Sequence, residues 1–284
     1  MTSSDRRSAV ADPVAGVAGP AGDRRAPAAD WLGATLQVGW LLFRRENPWR
    51  PVVLTSQFRI VAECLLFTLL GVVAGGRAGG DYSFVGAVFL ASTYYTVSMI
   101  SDVPMRDRME GTYPQLSRAG RAPYLTFVVR SLPVVGAGAV AAVVAGVVVG
   151  AVTGRLDILV AMAPGIPLLV AACVSGGAVG LFVIAPAIGT RYDALTYNTM
   201  TALIVVFSGA LIPTGRHGVL DALGGVLPLH HAIAGSRAAM DGQPWGASLL
   251  AELAVAAGWA LVAAFTYHAM DRRGRTTGRG AFSS

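Results

Sequence analysis

The sequence predicts an all-α integral membrane protein with six transmembrane helices. Three observations carry that prediction: six apolar stretches of spanning length, a composition too poor in charge to cover a water-soluble surface, and arginines gathered on alternate connections. A bilayer's hydrocarbon core of ~30 Å needs about 20 apolar residues of helix, because backbone amides without water must be satisfied within the segment. The windows that meet this length lie at about 57–76, 82–103, 126–151, 158–187, 195–213 and 247–270. Only 13% of the residues are charged and 54% are hydrophobic, with a mean hydropathy of +0.58, whereas soluble chains carry about 25% charged residues. Six helices and their connections take up most of the 284 residues. No room is left for a separate soluble enzyme domain.

The arginines set the expected orientation, since the flanks richer in positive charge stay cytoplasmic. Arg6, Arg7, Arg24, Arg25, Arg44, Arg45, Arg50 and Arg59 precede or open the first span, and Arg106, Arg108, Arg118, Arg121 and Arg130 lie between spans two and three. Arg191 follows span four, and Arg272, Arg273, Arg275 and Arg279 follow span six. Those eighteen face four on the other side: Arg77, Arg155, Arg216 and Arg237. Both termini are therefore expected in the cytoplasm. The net charge of +6 reads as topology and as affinity for anionic lipid headgroups, and not as nucleic-acid binding, for which no basic, aromatic-interleaved soluble surface exists.

All 22 basic residues are arginine. A P-loop needs its lysine on the β- and γ-phosphates and a Schiff-base enzyme needs a lysine amine, so both chemistries are excluded. The richness in Arg, Ala, Gly and Val reads as GC-rich coding, and the expected location is a bacterial cell membrane.

Along the chain, residues 1–29 mix Ala, Pro, Gly and paired charges without an apolar period, and read as a disordered cytoplasmic tail. Asp12, Pro13 and Pro20 break any signal-peptide core, so no cleavage is expected. Asp30 is placed to cap a helix whose Leu32, Leu36, Trp40 and Phe43 share one face, with Arg44 and Arg45 at its end. Such a helix suits the membrane surface, where Trp31, Trp40 and Trp49 are favoured. The permease domain is expected over 30–270, followed by a cytoplasmic tail at 271–284.

Inside the spans, Gly71 with Gly75, Gly146 with Gly150 and Gly176 with Gly180 have the spacing that lets helices approach closely. Charges there are few. Arg59 and Glu63, four apart, read as a neutralised pair near the cytoplasmic headgroups. Glu252, one turn into span six from the outer side, is the other candidate for a transport role and could equally reach water. Cys64 and Cys173 lie in different spans and read as buried thiols. The adjacent His230 and His231 lack the i, i+4 spacing of a helical metal pair, so no metal and no cofactor is expected in this chain.

Two connections carry the informative chemistry. The first, between spans two and three, runs from Ser101 to Pro123, where Asp102 and Pro104 are placed to start a short new helix. Its Asp107, Arg108, Met109, Glu110, Gly111, Thr112 and Leu116 resemble the acidic-Arg-acidic-x-Gly-Thr-x-x-x-Leu pattern in the permease subunits of type-2 ABC exporters. Met109 replaces the usual acid, and Pro114 falls where that family has helix. The second connection follows span five. Ser208, Gly209 and Pro213, then Leu227, Pro228, His231, Ala232 and Arg237, resemble the same family's Ser-Gly-x-x-x-Pro sequence and its amphipathic stretch closing on an arginine. Short re-entrant or interfacial external helices are expected there.

The resemblance implies a half-transporter that pairs with a second permease copy, a homodimer in the simplest case, and docks a separate cytoplasmic ABC ATPase, which would hold the ATP and Mg. It implies that Arg106, Asp107, Arg108, Glu110, Gly111, Thr112 and Leu116 couple the two subunits. The expected cargo is an amphipathic small molecule, a drug or natural product, moved outward; a cell-envelope glycan or lipid precursor is the alternative. A polytopic membrane enzyme or a secondary transporter would instead need a convergent polar constellation, or internal repeats with ions at mid-depth, and the sequence displays neither.

Overall fold

The computed structural model describes residues 27–48, 52–118, 121–187, 193–213 and 218–277, and all regular structure among them is helical. The elements are α1 (Ala28–Glu46), α2 (Phe58–Met109), α3 (Tyr113–Arg118), α4 (Pro123–Thr153), α5 (Leu156–Ala161), α6 (Ile166–Ala187), α7 (Asp193–Phe207), α8 (Gly218–Gly224), α9 (His230–Met240) and α10 (Gly246–Thr277). A π-helical segment at Val52–Gln57 leads into α2, and a 3-10 turn at Ala163–Gly165 leads into α6. Most of the tail expected over 1–29 lies outside the described residues, as do Trp49, Arg50, Arg191, Arg216 and Arg279.

Among the described residues four helices are long and apolar enough to cross a membrane: Thr55–Met109, Pro123–Thr153, Ala163–Pro186 and Gly246–Arg272. The first is two antiparallel arms. At Gly75 (φ −141°, ψ 22°) and Gly76 (φ 61°, ψ −150°) the backbone leaves the helix, and the second of these conformations is open to glycine almost alone. On a continuous helix Gly71 and Ser83 would stand about 18 Å apart. Here a methyl added to Gly71 would collide with the Ser83 side chain. The arms 58–74 and 77–109 therefore lie side by side, joined by a glycine turn where the hydropathy windows suggested a loop.

The central element is α6, packed by α2, α4 and α10 and buried along most of its length. Small residues make this possible: a Cβ on Gly176 would stand 2.8 Å from Thr96 Oγ1, and one on Gly180 would stand 2.9 Å from the Val97 carbonyl oxygen. Ser101 Oγ crosses the same contact to donate to the Gly180 carbonyl at 3.0 Å. Phe84, Phe89, Ile100, Phe127 and Leu168 fill the interior. The exterior is equally apolar, with Val73, Leu250, Leu261 and Phe265 at least 70% exposed. Lipid, and not water, is the solvent in which such a surface is stable.

Several helix limits differ from the expected ones, each for a local reason. α2 continues through Asp102 and the buried Pro104 to Met109, so Asp102 caps no new helix; the Ser101–Gly180 bond holds the helix on α6 past the proline. α1 begins at Ala28, which leaves Asp30 in its first turn without a capping bond, where its charge still favours the helix dipole. The window 158–187 breaks at Met162, where Pro164 sits in the 3-10 turn. The window 195–213 is helical only to Phe207, since Gly209 turns the chain with φ 77°. α10 continues past residue 270 to Thr277.

The segment between α7 and α10 is held by a carboxylate. Leu229, just before α9, has φ 80°, the one non-glycine in that region among the described residues. Glu252, on α10, is fully buried, which rules out the reading in which it reaches water. Its Oε1 accepts from the Leu229 amide at 3.0 Å and its Oε2 from the Ala232 amide at 3.2 Å, while Ser175 Oγ on α6 also donates to Oε1. A side chain from another helix thus supplies the acceptor that a local N-cap would provide.

Replacing Glu252 with alanine strands two buried amides, while Ser175 Oγ can still donate to the Ala172 carbonyl, for an expected loss of about 3 kcal/mol. In thermal unfolding of the detergent-solubilised chain, wild type should melt highest, Glu252→Gln next and Glu252→Ala lowest. An unchanged melting temperature for Glu252→Ala would show that the carboxylate holds nothing.

Candidate functional site

At the end of the bundle where α1 lies, the segment with the acidic-Arg motif is a helix stop built to a specific pattern. The Gly111 amide donates to the Arg108 carbonyl at 3.1 Å and the Thr112 amide to the Asp107 carbonyl at 2.9 Å, with Gly111 at φ 68°. These are the two bonds of a Schellman motif, whose left-handed residue favours glycine. Thr112 Oγ1 adds a bond to Asp107 Oδ1 at 3.1 Å, and Arg130 on α4 donates to Asp107 Oδ2 at 2.6 Å. Asp107, one of the residues expected to couple the two subunits, is buried, 5% exposed, and so offers little surface to a partner. Arg106 pairs with Glu46 at the end of α1. Leu116 packs against the core from α3, where Pro114 occupies the second helical position and leaves the short helix intact. Met109, 80% exposed, with Glu110 and Gly111 forms the outward point of the segment.

α1 itself crosses α4 closely, for a Cβ on Gly39 would lie 2.7 Å from the Arg130 carbonyl oxygen. The Arg121 guanidinium stacks 4.5 Å over the Trp31 ring. Leu32, Leu36, Trp40 and Leu41 stay exposed, the arrangement a surface-lying helix needs to bury an apolar stripe in lipid.

At the opposite end the two halves of the second motif meet on Tyr82. Arg237 of α9 places its guanidinium carbon 3.5 Å from the Tyr82 ring centroid. It donates from Nη1 to the Tyr82 hydroxyl at 2.8 Å and the Gly209 carbonyl at 3.1 Å, and from Nη2 to the Tyr82 carbonyl at 3.1 Å. The Tyr82 hydroxyl donates in turn to the Gly209 carbonyl at 3.0 Å. Burial pulls the Arg237 guanidinium down to about 10, partly offset by Tyr82, and leaves it protonated at neutral pH. Beside this latch Arg155 Nε donates to Asp81 Oδ1 at 2.8 Å. His231 Nε2 meets the Gly225 carbonyl at 3.1 Å, and His230 packs edge-on against it. Among the described residues no group of His, Cys, Asp and Glu is arranged to hold a metal ion, and both cysteines are buried and free.

Between these ends lies a polar group that the sequence placed at the wrong depth. Tyr94 stands thirteen residues along α2 from Asp81 and thirteen from Asp107, about 20 Å from each rim ion pair. The Gln57 amide, two residues before Arg59, donates to the Ala141 carbonyl at 3.0 Å. Ala141 is eleven residues beyond the rim residue Arg130 on α4, about 16 Å into the bundle. The pair Arg59–Glu63, bonded Nε to Oε1 at 2.8 Å, is therefore at mid-depth of the bundle, about midway between its two rim ion pairs. Tyr197 of α7 lies beside the Arg59 guanidinium, and Tyr94 lies within electrostatic reach of all three. A charge at such depth costs about 3 kcal/mol unless it is paired or faces a polar path, so these positions mark function by default.

An apolar groove of about 320 Å³ opens between α4, α6 and α10, lined by Val128, Leu132, Leu181, Leu253 and Ala256 among others. Sequence reading missed Arg130 as the partner of Asp107, Tyr82 as that of Arg237, and Tyr94 and Tyr197 beside Arg59. Only Arg130 carried a visible signal, an arginine several residues inside an apolar helix, and it had been counted toward topology alone.

Comparison with known proteins agrees with this geometry. A search of curated proteins found no match. A family model described as ABC-2 type transporter matches residues 37–240, a stretch that begins within α1, includes the Schellman stop at Gly111 and ends with α9 and its Arg237 latch. It covers most of the chain, including the helix stop, the Arg59–Glu63 pair and the Arg237 latch, and the chain belongs to the ABC-2 type transporter family.

Proposed function

We propose that this chain is the membrane-spanning subunit of an ATP-driven exporter that moves an amphipathic small molecule, a drug or natural product, outward across the cell membrane. The observation that carries the reading is the helix stop at residues 107–112. Asp107, locked to Arg130 and Thr112, braces the end of α2, so that Arg108, Met109, Glu110 and Gly111 form a stiff projecting point. A push on that point is delivered to α2 and α4 together. That is what a coupling contact with a cytoplasmic ATPase requires, and the arginine-rich flanks put this end in the cytoplasm.

In this reading the first arm of α2 together with its π-helical lead-in, the second arm, then α4, α6, α7 and α10 make six crossings, with both termini cytoplasmic. Exposed apolar residues on the first arm of α2 and on α7, among them Leu66, Leu70, Val73, Leu195 and Val206, suit a second permease copy. The apolar groove suits the hydrocarbon part of a cargo or a lipid tail. Export of a glycan or lipid precursor would use the same machinery. The mid-depth Arg59–Glu63 pair is the observation that favours a secondary transporter instead; transport by the chain alone under an ion gradient would decide for it.

The energy source separates these readings. The purified chain should hydrolyse no ATP, and activity should appear only with a nucleotide-binding partner that co-purifies from the native membrane. ATPase activity in rigorously pure chain would end the permease assignment.

For orientation, reporters fused after Ser284 and inserted near Gly79 should report opposite sides of the membrane. The same sidedness at both sites would contradict six crossings.

Charge reversal at the projecting point, Arg108→Glu with Glu110→Arg, should weaken partner binding about tenfold, as expected for exposed interfacial charges, while thermal stability holds. Asp107→Asn should do the reverse, lowering stability first. Unchanged co-purification and export in the reversed variant would remove the coupling role.

A further inference from the structure

The mid-depth group is poorly explained as a mere neutralised pair. Arg59 carries five N–H donors, yet among the described residues only Nε makes a close hydrogen bond, toward Glu63, and its side chain is 63% exposed against 27% for Glu63. Among the described residues the second Glu63 oxygen is buried without a partner, and the Tyr197 hydroxyl meets nothing but the guanidinium. The accessible face is therefore rich in unused donors, while the acceptor lies behind it. A guanidinium in this setting matches the planar oxygens of a carboxylate or phosphate, which it can grip with two parallel bonds. Glu63 orients the guanidinium through Nε and leaves its terminal nitrogens free, and its charge keeps the empty site neutral overall at a depth where a lone cation is costly.

We propose that Arg59, oriented by Glu63 and flanked by Tyr94 and Tyr197, is a subsite for the anionic oxygen group of an amphipathic cargo, a carboxylate or phosphate joined to an apolar body. The proposal rests on the transporter reading and narrows it by specifying the charge of what is carried. Three elements contribute to the subsite: the first arm of α2 brings the pair, the second arm brings Tyr94, and α7 brings Tyr197. A helix motion that separates α7 from α2 would open it, which gives a route for release.

The test uses the full chain in phosphatidylcholine nanodiscs, without an ATPase, and measures equilibrium binding of radiolabelled dodecyl phosphate and of dodecyltrimethylammonium. Dodecyl phosphate should bind saturably. Arg59→Gln should weaken it by about tenfold or more, the scale of one charged hydrogen-bonded contact. Arg59→Lys should keep part of the affinity, and Glu63→Gln, which keeps an acceptor for Nε but removes the negative charge beside the site, should strengthen it. Tyr197→Phe, which removes one oxygen and no volume, should weaken it by about threefold. The ammonium probe should respond to none of these changes. Inorganic phosphate should fail to displace dodecyl phosphate; equal displacement would reduce the subsite to a free-anion site and overturn the amphipathic assignment.

Equal binding of dodecyl phosphate to wild type and Arg59→Gln would overturn the proposal, as would the same loss with the ammonium probe. If Arg59→Gln does not fold, an unchanged affinity in both Glu63→Gln and Tyr197→Phe overturns it. A change of oligomeric state in Arg59→Gln with no change in binding would make the pair a contact between copies and also overturn it. A chain that binds through Arg59 yet recruits no ATPase would refute the exporter reading and leave the subsite standing. A chain that recruits the ATPase and binds regardless of Arg59 would refute the subsite alone.

Discussion

Glu252, a carboxylate with no exposure, holds the first turn of a helix that lies twenty residues away in the chain, and the need it meets governs the whole molecule. In a bilayer every backbone amide and carbonyl must find its partner inside the protein. A single unbroken helix does so by itself. Each place where this chain departs from a simple helix must therefore be supplied with donors or acceptors from elsewhere. α9 receives Glu252 and, through it, Ser175; the end of α4 receives the Arg155 amide on the Gly150 carbonyl; the end of α2 receives the two Schellman bonds. These devices allow helix ends, and hence functional surfaces, at positions where hydrophobic length alone would permit only continuous rods.

The two rims of the bundle are built alike. At one, Arg130 and Asp107 tie α4 to the end of α2; at the other, Arg155 and Asp81 tie the chain after α4 to the start of its second arm. The second arm of α2 and α4 are thus clamped near both ends, with Gly138 and Gly146 allowing close approach between. α6 joins this frame through Gly176 and Gly180. The first arm of α2 and α7 are held less completely and carry much of the exposed apolar surface. A rigid frame beside looser helices is a reasonable physical basis for a machine in which one part transmits force and another rearranges around cargo. The Arg59 group sits between these looser helices and the frame.

The same distinction explains what the motif residues do. Asp107, Gly111 and Thr112 shape the helix stop and are spent on contacts within the chain, while Met109 and Glu110 project. A family signature therefore mixes residues that build a surface with residues that form it. Substitution of the first kind acts through folding and of the second kind through the partner. Arg237 belongs with the builders: all its described bonds go to Tyr82 and Gly209.

The sequence by itself determined the solvent and the class, since hydropathy and charge are sums over residues that no tertiary contact can alter. The glycine spacing on α6 and the approximate helix windows were legible for the same reason: each depends on neighbours within a few residues. Only the tertiary structure decided depth and partnership. Arg59 stands near the start of the first apolar window and so reads as a headgroup contact. The π-helical lead-in and the Gln57–Ala141 bond set that start well inside the bundle. Glu252 reads as a wettable rim residue until α9 folds back to cover it. Asp107 reads as an exposed charge until Arg130, twenty-three residues onward, closes over it. Position along a chain fixes distance along a helix, but the depth of a charge, and whether it meets water or a partner, depends on how separate helices are staggered against one another.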